Sequence, residues 1–209
     1  MGGLDYRASP DWGTKLGYSP EALADVQIRC IEFLRQVAEP FRGRIPAIFI
    51  AGIIGPRGDA YSLNSTITAA AAEEYHLVQL RTLASAGVDL VTALTFNSVP
   101  EAVGIARAAA RVNLPLGISF TLDSSTSRLK SGPTLREAIE AEVRYIVVDS
   151  FDELDRLDVL AAAGVGPAPR VVLRITPGVH AHTHEYIATG QDDSKFGFNL
   201  ANGDALRAV

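Results

Sequence analysis

Residues 47–59, Ala-Ile-Phe-Ile-Ala-Gly-Ile-Ile-Gly-Pro-Arg-Gly-Asp, set a continuous apolar run directly before a charged turn. A run without alternation, ended by a turn, predicts a strand buried on both faces, as in a parallel sheet. Gly55 and Gly58 allow a tight backbone turn, and Arg57 and Asp59 place charge beside the strand end. The spacing is compatible with an ion pair inside the turn or with a ligand contact.

Outward from this stretch the same unit recurs. Ser19-Pro20-Glu21 predicts the start of the first helix, with a capping serine, a proline at the first helical position and an acid facing the dipole. That helix is expected to run to about Val37, before Pro40 and Gly43. Thr68 to Ala86 predicts an alanine-rich helix closed by Gly87. Strands are expected at 47, 88, 116, 145 and 171, with helices over 100–111, 134–142 and 151–163 and a helix start at 203. Strands alternating with helices imply βαβ crossovers and a parallel sheet. The expected architecture is an α/β fold, a partial parallel (β/α) TIM-type barrel of about five to six strands with helices outside. A complete barrel has eight strands and usually about 250 residues; this chain has 209.

Composition narrows the function. Hydrophobic residues make up 47% and charged residues 21%, as in an ordinary globular protein. The net charge of -5, without a basic cluster, excludes a nucleic-acid or anionic-membrane surface of the usual kind. No apolar run reaches membrane-spanning length, and the first ten residues carry no signal-peptide core, so a cytoplasmic setting is expected. The single cysteine, Cys30, rules out an intramolecular disulfide and a site built from several thiolates.

Several segments together carry a family likeness. Ala51-Gly52-Ile53-Ile54-Gly55-Pro56-Arg57-Gly58-Asp59-Ala60-Tyr61 is followed by Ala72-Glu73-Glu74-Tyr75-His76 and by Ala86-Gly87-Val88-Asp89-Leu90-Val91-Thr92. Glu101 to Ala106, Leu114 to Thr121 and Ser131 to Ile139 continue it. Over about Tyr6 to Ala141 the chain resembles the homocysteine S-methyltransferase family. That resemblance implies a (β/α)₈ barrel in which zinc, held by cysteine thiolates, activates the homocysteine thiol by lowering its pKa. It makes Gly55, Arg57, Asp59, Thr92, Thr95 and Thr121 candidates for a substrate pocket. The chain departs from the family in lacking the later paired cysteines and the Asp-Gly-Gly start of the first strand. Where many relatives place a substrate-binding glutamate it has Ala93-Leu94-Thr95.

From about Arg144 the likeness changes. Tyr145 to Leu154, Val171 to Val179, His182-Thr183-His184-Glu185-Tyr186 and Asp193-Ser194-Lys195-Phe196-Gly197-Phe198 resemble diaminopimelate decarboxylase. The resemblance implies a pyridoxal phosphate barrel, with His182, His184, Ser194 and Lys195 in a loop typical of the family. Lys195 lies in the Ser-Lys-Phe-Gly element and is not its Schiff-base lysine; that lysine and the phosphate-binding Gly-Gly-Gly loop have no counterpart here. His180, His182 and His184 alternate and would share one face of an extended strand, an arrangement able to hold zinc or nickel. They follow Pro177-Gly178 instead of lying in a buried strand, and no metal is expected there.

The expected organisation is therefore a methyltransferase-like partial barrel over 1–142 joined to a decarboxylase-like segment over 143–209. No bound cofactor is expected, since the ligands for zinc and for pyridoxal phosphate are both incomplete. Three functions stay open: a methyltransferase-family protein with impaired methyl transfer to a homocysteine-like small molecule, a decarboxylase-like fragment, and a non-enzymatic partial barrel forming homo-oligomers through open sheet edges. His76 is expected to be a packed or surface histidine, and Tyr6, Trp12 and Tyr18 an apolar cover before the first helix.

Overall fold

A computed structural model of the chain describes residues 1–58, 67–123, 128–129, 131–178 and 196–209. It divides into two compact units, Met1–Gly132 and Pro133–Val209.

In the first unit three strands, β1 (Ala51–Ile54), β2 (Leu90–Phe96) and β3 (Leu116–Phe120), form a parallel sheet in chain order. The register pairs Ala51 with Leu90 and Val91 with Leu116. The ladder begins at Ala51 and not at Ala47, for a local reason. The Ile50 N–H donates to the Asp89 carboxylate at 2.7 Å, so a side chain has taken the donor that a strand would offer its neighbour. The amino terminus lies beside β1 on its other edge: Ala51 N–H donates to Met1 O at 2.8 Å and Gly3 N–H to Ala51 O at 2.9 Å.

Four helices accompany these strands. The first is α1 (Pro10–Lys15), ahead of the helix that the sequence suggested would come first. Its six residues are too few for periodicity to reveal. α2 (Pro20–Ala38) starts as expected, the Ser19 hydroxyl accepting from Ala22 N–H, and buries Gln27, Ile31, Leu34 and Ala38 on one stripe. α3 (Ala69–Ser85) is capped by Thr68, and α4 (Val99–Arg111) packs beside it. Ile31, Ile54, Leu77, Leu80, Leu83, Val91, Phe96 and Ile105 form the core between helices and sheet. Val91 and Ala93 face the helices, so strand alternation sends Thr92 to the opposite face.

The second unit holds β4 (Tyr145–Val148) and β5 (Arg170–Leu173), parallel with Tyr145 opposite Arg170, and a shorter parallel pair, β6 (Ile175–Thr176) and β7 (Phe198–Asn199). The expected strand from 171 to 175 is interrupted at Arg174, and the expected loop after Thr176 ends in β7. Helix α5 (Leu135–Glu140) begins in a reciprocal capping box of Thr134 and Glu137. Helix α6 (Phe151–Ala162) is capped by Ser150, and α7 (Asp204–Arg207) is a single turn. Ile139, Val148, Leu157, Val165, Phe198 and Ala205 make this unit's core. Among the described residues the strands form three separate ladders and not one continuous sheet. The shared class is α/β with parallel strands.

Candidate functional site

The carboxyl ends of β1 and β2 bring several of the candidate residues together. Thr95 sits near the end of β2 with φ of 59°, a rare conformation for a β-branched residue, where the register with β3 shifts between Ala93 and Phe96. Its hydroxyl hydrogen-bonds the Tyr6 hydroxyl and the Leu94 carbonyl, the latter at 2.7 Å. The Tyr6 ring lies against Gly55 so closely that a Cβ there would stand 2.7 Å from ring carbons, and Gly55 N–H donates to Tyr6 O at 3.1 Å. Glycine is required here by close approach and not by an unusual φ. Strained residues at strand ends are where barrel enzymes place ligand contacts.

Arg57 belongs to a second, adjoining group. Its Nε donates to Asp11 of α1 at 2.9 Å and its guanidinium stacks 4.7 Å from the Tyr75 ring centroid. The side-chain hydrogen bond to Asp11 raises its already high pKa further, so it is a permanent cation. Below it the Arg57 N–H donates to Glu101 Oε1 at 2.6 Å, and His76 Nε2 lies 2.9 Å from the same oxygen. Glu101 and His76 are almost fully buried, with side chains 4% and 1% exposed. One carboxylate thus fastens the turn after β1 to both α3 and α4. Burial raises the pKa of Tyr75 above the usual phenol value.

The remaining candidates are more scattered. Thr121 is exposed just past β3, its N–H donating to Phe96 O at 2.9 Å. Thr92 lies mid-strand, paired across the sheet with Ile53 and Gly117. Asp59, His182, His184, Ser194 and Lys195, together with His180, lie outside the described residues. Arg57 finds a carboxylate in Asp11 of α1.

Asp5, Asp11 and Glu101 are neighbours of the candidate site that local patterns did not single out, while Tyr6, expected as apolar cover, reaches Thr95, and His76, expected to be packed or at the surface, is packed against Glu101. Ser98-Val99-Pro100-Glu101 even has capping-box spacing, yet Ser98 makes no cap bond and Glu101 turns inward. Asp5 is fully buried, with both carboxylate oxygens 3.2 Å from Ile53 N–H. Burial pushes its pKa from 3.8 to about 6 despite that hydrogen bond. The folded chain therefore binds the proton more tightly than the unfolded chain between these values, so stability falls as pH rises through them. Above pH 6 the buried charge costs about 3 kcal/mol. Replacing Asp5 with Asn is expected to stabilise the chain at pH 7.5 and to make no difference below pH 3.8. Urea denaturation at both pH values checks this; an equal effect at the two would contradict it.

Thiolate-bound zinc is what the family likeness implies, and the residues present do not fit it. Cys30, the only cysteine, is on α2. Burial and the nearby Asp5 charge raise its pKa, opposite to what a ligating thiolate needs. Among the described residues no group of three or more His, Cys, Asp and Glu side chains is gathered to hold a metal. Nor, among them, is any helix long and apolar enough to cross a membrane.

Parallel strands alternating with helices, with polar groups collected at strand carboxyl ends, define a mixed α/β class. The sequence model of homocysteine S-methyltransferase matches residues 5–151, and the chain belongs to that family. The pyridoxal-binding domain of the pyridoxal-dependent decarboxylases matches residues 125–209. The chain is 54% identical over 80 residues to diaminopimelate decarboxylase from Bacillus subtilis, covering 38% of this chain and 18% of that protein. The Bacillus methanolicus enzyme is 49% identical over 80 residues, with the same coverage. The chain thus spans under a fifth of the length of these curated relatives. Among solved structures, the metallated homocysteine methyltransferase MmuM from Escherichia coli superposes with a TM-score of 0.66 at 20% identity, over 85% of this chain and 67% of that one. Its apo form gives 0.57 over 78% and 63%. At that identity the likeness concerns the fold.

Proposed function

We propose that the amino-terminal unit is the substrate-holding part of a homocysteine S-methyltransferase barrel, and that the chain as it stands is impaired in methyl transfer. The family match over residues 5–151 supports the substrate class, a homocysteine-like amino acid. Gly55, Arg57, Thr92, Thr95 and Thr121 are its candidate pocket residues, with Tyr6 added by its bond to Thr95. The observation that carries the impairment is Cys30: the sole thiol sits on a helix with a raised pKa, so no cysteine set is available to bind zinc and ionise a substrate thiol. A methyl group moving from its donor to the homocysteine sulfur needs that thiolate as nucleophile.

The test combines metal analysis with turnover. After dialysis against trace zinc, the chain is expected to retain far less than one zinc per molecule and to form no methionine from homocysteine and a sulfonium donor above the protein-free rate. One zinc per chain together with methionine formation would overturn the proposal. A second reading, a piece of a pyridoxal phosphate barrel, is favoured by the 54% identity over 80 residues. That match covers 18% of the relative, so decarboxylation is a proposal for this segment only as part of a larger arrangement.

A further inference from the structure

Residues 1–6 run along the edge of β1 that faces away from β2, as a strap and not as a regular strand. Ala51 N–H donates to Met1 O, Gly3 N–H to Ala51 O and Gly55 N–H to Tyr6 O, at 2.8, 2.9 and 3.1 Å. Between these bonds a side chain takes the place of the backbone: Ile53 N–H donates to the Asp5 carboxylate, 3.2 Å from each oxygen. Leu4 is turned outward and 71% exposed, whereas Asp5 is 0% exposed. A Cβ on Gly3 would stand 1.8 Å from Asp5 Oδ1, so the glycine leaves the space that the carboxylate occupies.

The surroundings suit an acid better than its anion. From β1 the carboxylate meets Ile53 N–H, and its own backbone N–H also turns toward it. From α2 the titratable group that feels its charge is the Cys30 thiol. From α3 Gln79 donates at 2.9 Å to the Asp5 carbonyl and not to the carboxylate. Among the described residues no Lys, Arg or His pairs with Asp5. An ionised carboxylate loses far more than a neutral acid when it leaves water, and a few backbone donors without a cation do not restore that loss. The strap is also separable from the rest: none of the apolar residues that build this unit's core belongs to residues 1–6.

We propose that Asp5 makes the strap a proton-controlled latch over the strand ends, closed while the acid is neutral and opening locally once it ionises. Opening carries Asp5 into water, takes the Tyr6 hydroxyl from Thr95 and lifts the Tyr6 ring from Gly55. Access to the carboxyl ends of β1 and β2 then rises with pH, a consequence that rests on reading those ends as the substrate pocket. The sign follows from burial, which moves the acid from 3.8 to about 6. The closed strap binds the proton more tightly than the open one, so closure is favoured at low pH and weakens as pH rises through that range.

Backbone hydrogen exchange of the full chain at pH 5 and pH 8, resolved by residue and divided by the intrinsic rate at each pH, tests the latch. Protection of the Gly3, Ala51, Ile53 and Gly55 amides should fall about tenfold between the two, the ratio that these proton affinities give. At pH 8 the same amides should be less protected than Val91 N–H, which is held to Pro115 O at 2.8 Å on the other side of β2. Unlike Val91 they should not respond to low urea, because a strap exposes little surface when it opens. Asp5→Asn keeps an oxygen for Ile53 N–H and should abolish the pH dependence. Equal protection at the two pH values in the parent chain overturns the proposal. So does a strap that shares the protection and urea response of Val91, which would mean that it opens only when the whole unit unfolds. No ligand enters the measurement, so failure of the substrate reading would leave its outcome unchanged.

Discussion

Replacing Glu101 with alanine is expected to destabilise the amino-terminal unit by about 2–4 kcal/mol, the cost of leaving two buried groups without their hydrogen-bond partner. Two donors would lose their acceptor together: the Arg57 N–H at 2.6 Å and the His76 ring nitrogen at 2.9 Å. Neither can recover a water partner cheaply, because both Glu101 and His76 are nearly solvent-free. The Glu101→Gln variant keeps an acceptor oxygen and should lose much less. Trp12, the only tryptophan, lies in this unit with Lys15 4.6 Å from its ring centroid, so its fluorescence during urea denaturation reports on the unit directly. A loss under about 1 kcal/mol for the alanine variant would show that the carboxylate is incidental to the fold. The substitution should also free the turn carrying Arg57, so ligand affinity at the strand ends should fall in both variants in the order Ala, then Gln.

The second large effect is expected at Gly104, where α4 crosses α3. A Cβ at this position would lie 2.5 Å from Ala72 Cβ, 2.6 Å from Ala69 O and 2.8 Å from Glu73 N. Two of the three are backbone atoms of a helix and have no rotamer by which to retreat. Gly104→Ala therefore forces the helices apart, at a cost of about 1–3 kcal/mol or more. That outweighs the gain of about 1 kcal/mol that alanine normally brings to a helix interior. Separation would also stretch the links from Arg111 of α4 to Glu73 and Glu74 of α3, now 3.0 and 2.6 Å. Gly117→Ala on β3 is the matched control, since nothing lies within 4 Å of a Cβ there. Thermal unfolding should separate the two clearly; an unchanged midpoint for Gly104→Ala would mean that the helix contact relaxes freely.

Both effects fall on residues whose importance depends on distant neighbours, and the same division runs through the whole chain. Helix starts were legible because capping is local: Ser19, Thr68 and Ser150 each accept from the N–H three residues on, and Thr134 forms a full box with Glu137. The strands at 88, 116 and 145 were legible as short apolar runs bounded by turns, although β3 and β4 leave most of their residues exposed or half-buried. The family was legible because its motifs span many short segments, and the match over residues 5–151 bears this out.

Where the local signal stops, packing decides. Residues 47–50 have strand composition, but the Asp89 carboxylate takes the Ile50 N–H and the ladder starts later. Ser98 and Glu101 have the spacing of a cap, but burial beneath Arg57 draws Glu101 inward and leaves Ser98 without that bond. His76 is two residues from its solvent-facing helical neighbours in sequence and fully inside in space, because α4 delivers an acid to it. Arg57 bonds Asp11, forty-six residues earlier, a partner that no local spacing announces.

Sequence alone determined the approximate places of α2 to α6 and of β1 to β5, that they alternate as a parallel α/β chain, and which two families the chain resembles. These depend on hydrogen bonds and apolar spacing within a few residues, which composition and order specify directly. Among the described residues, tertiary structure alone decided that the strands form three ladders, that Glu101 and Asp11 hold Arg57, and that Tyr6 joins Thr95 at the strand ends. Each of these joins groups from separate elements, and a polar group taken from water accepts whichever partner packing brings within reach.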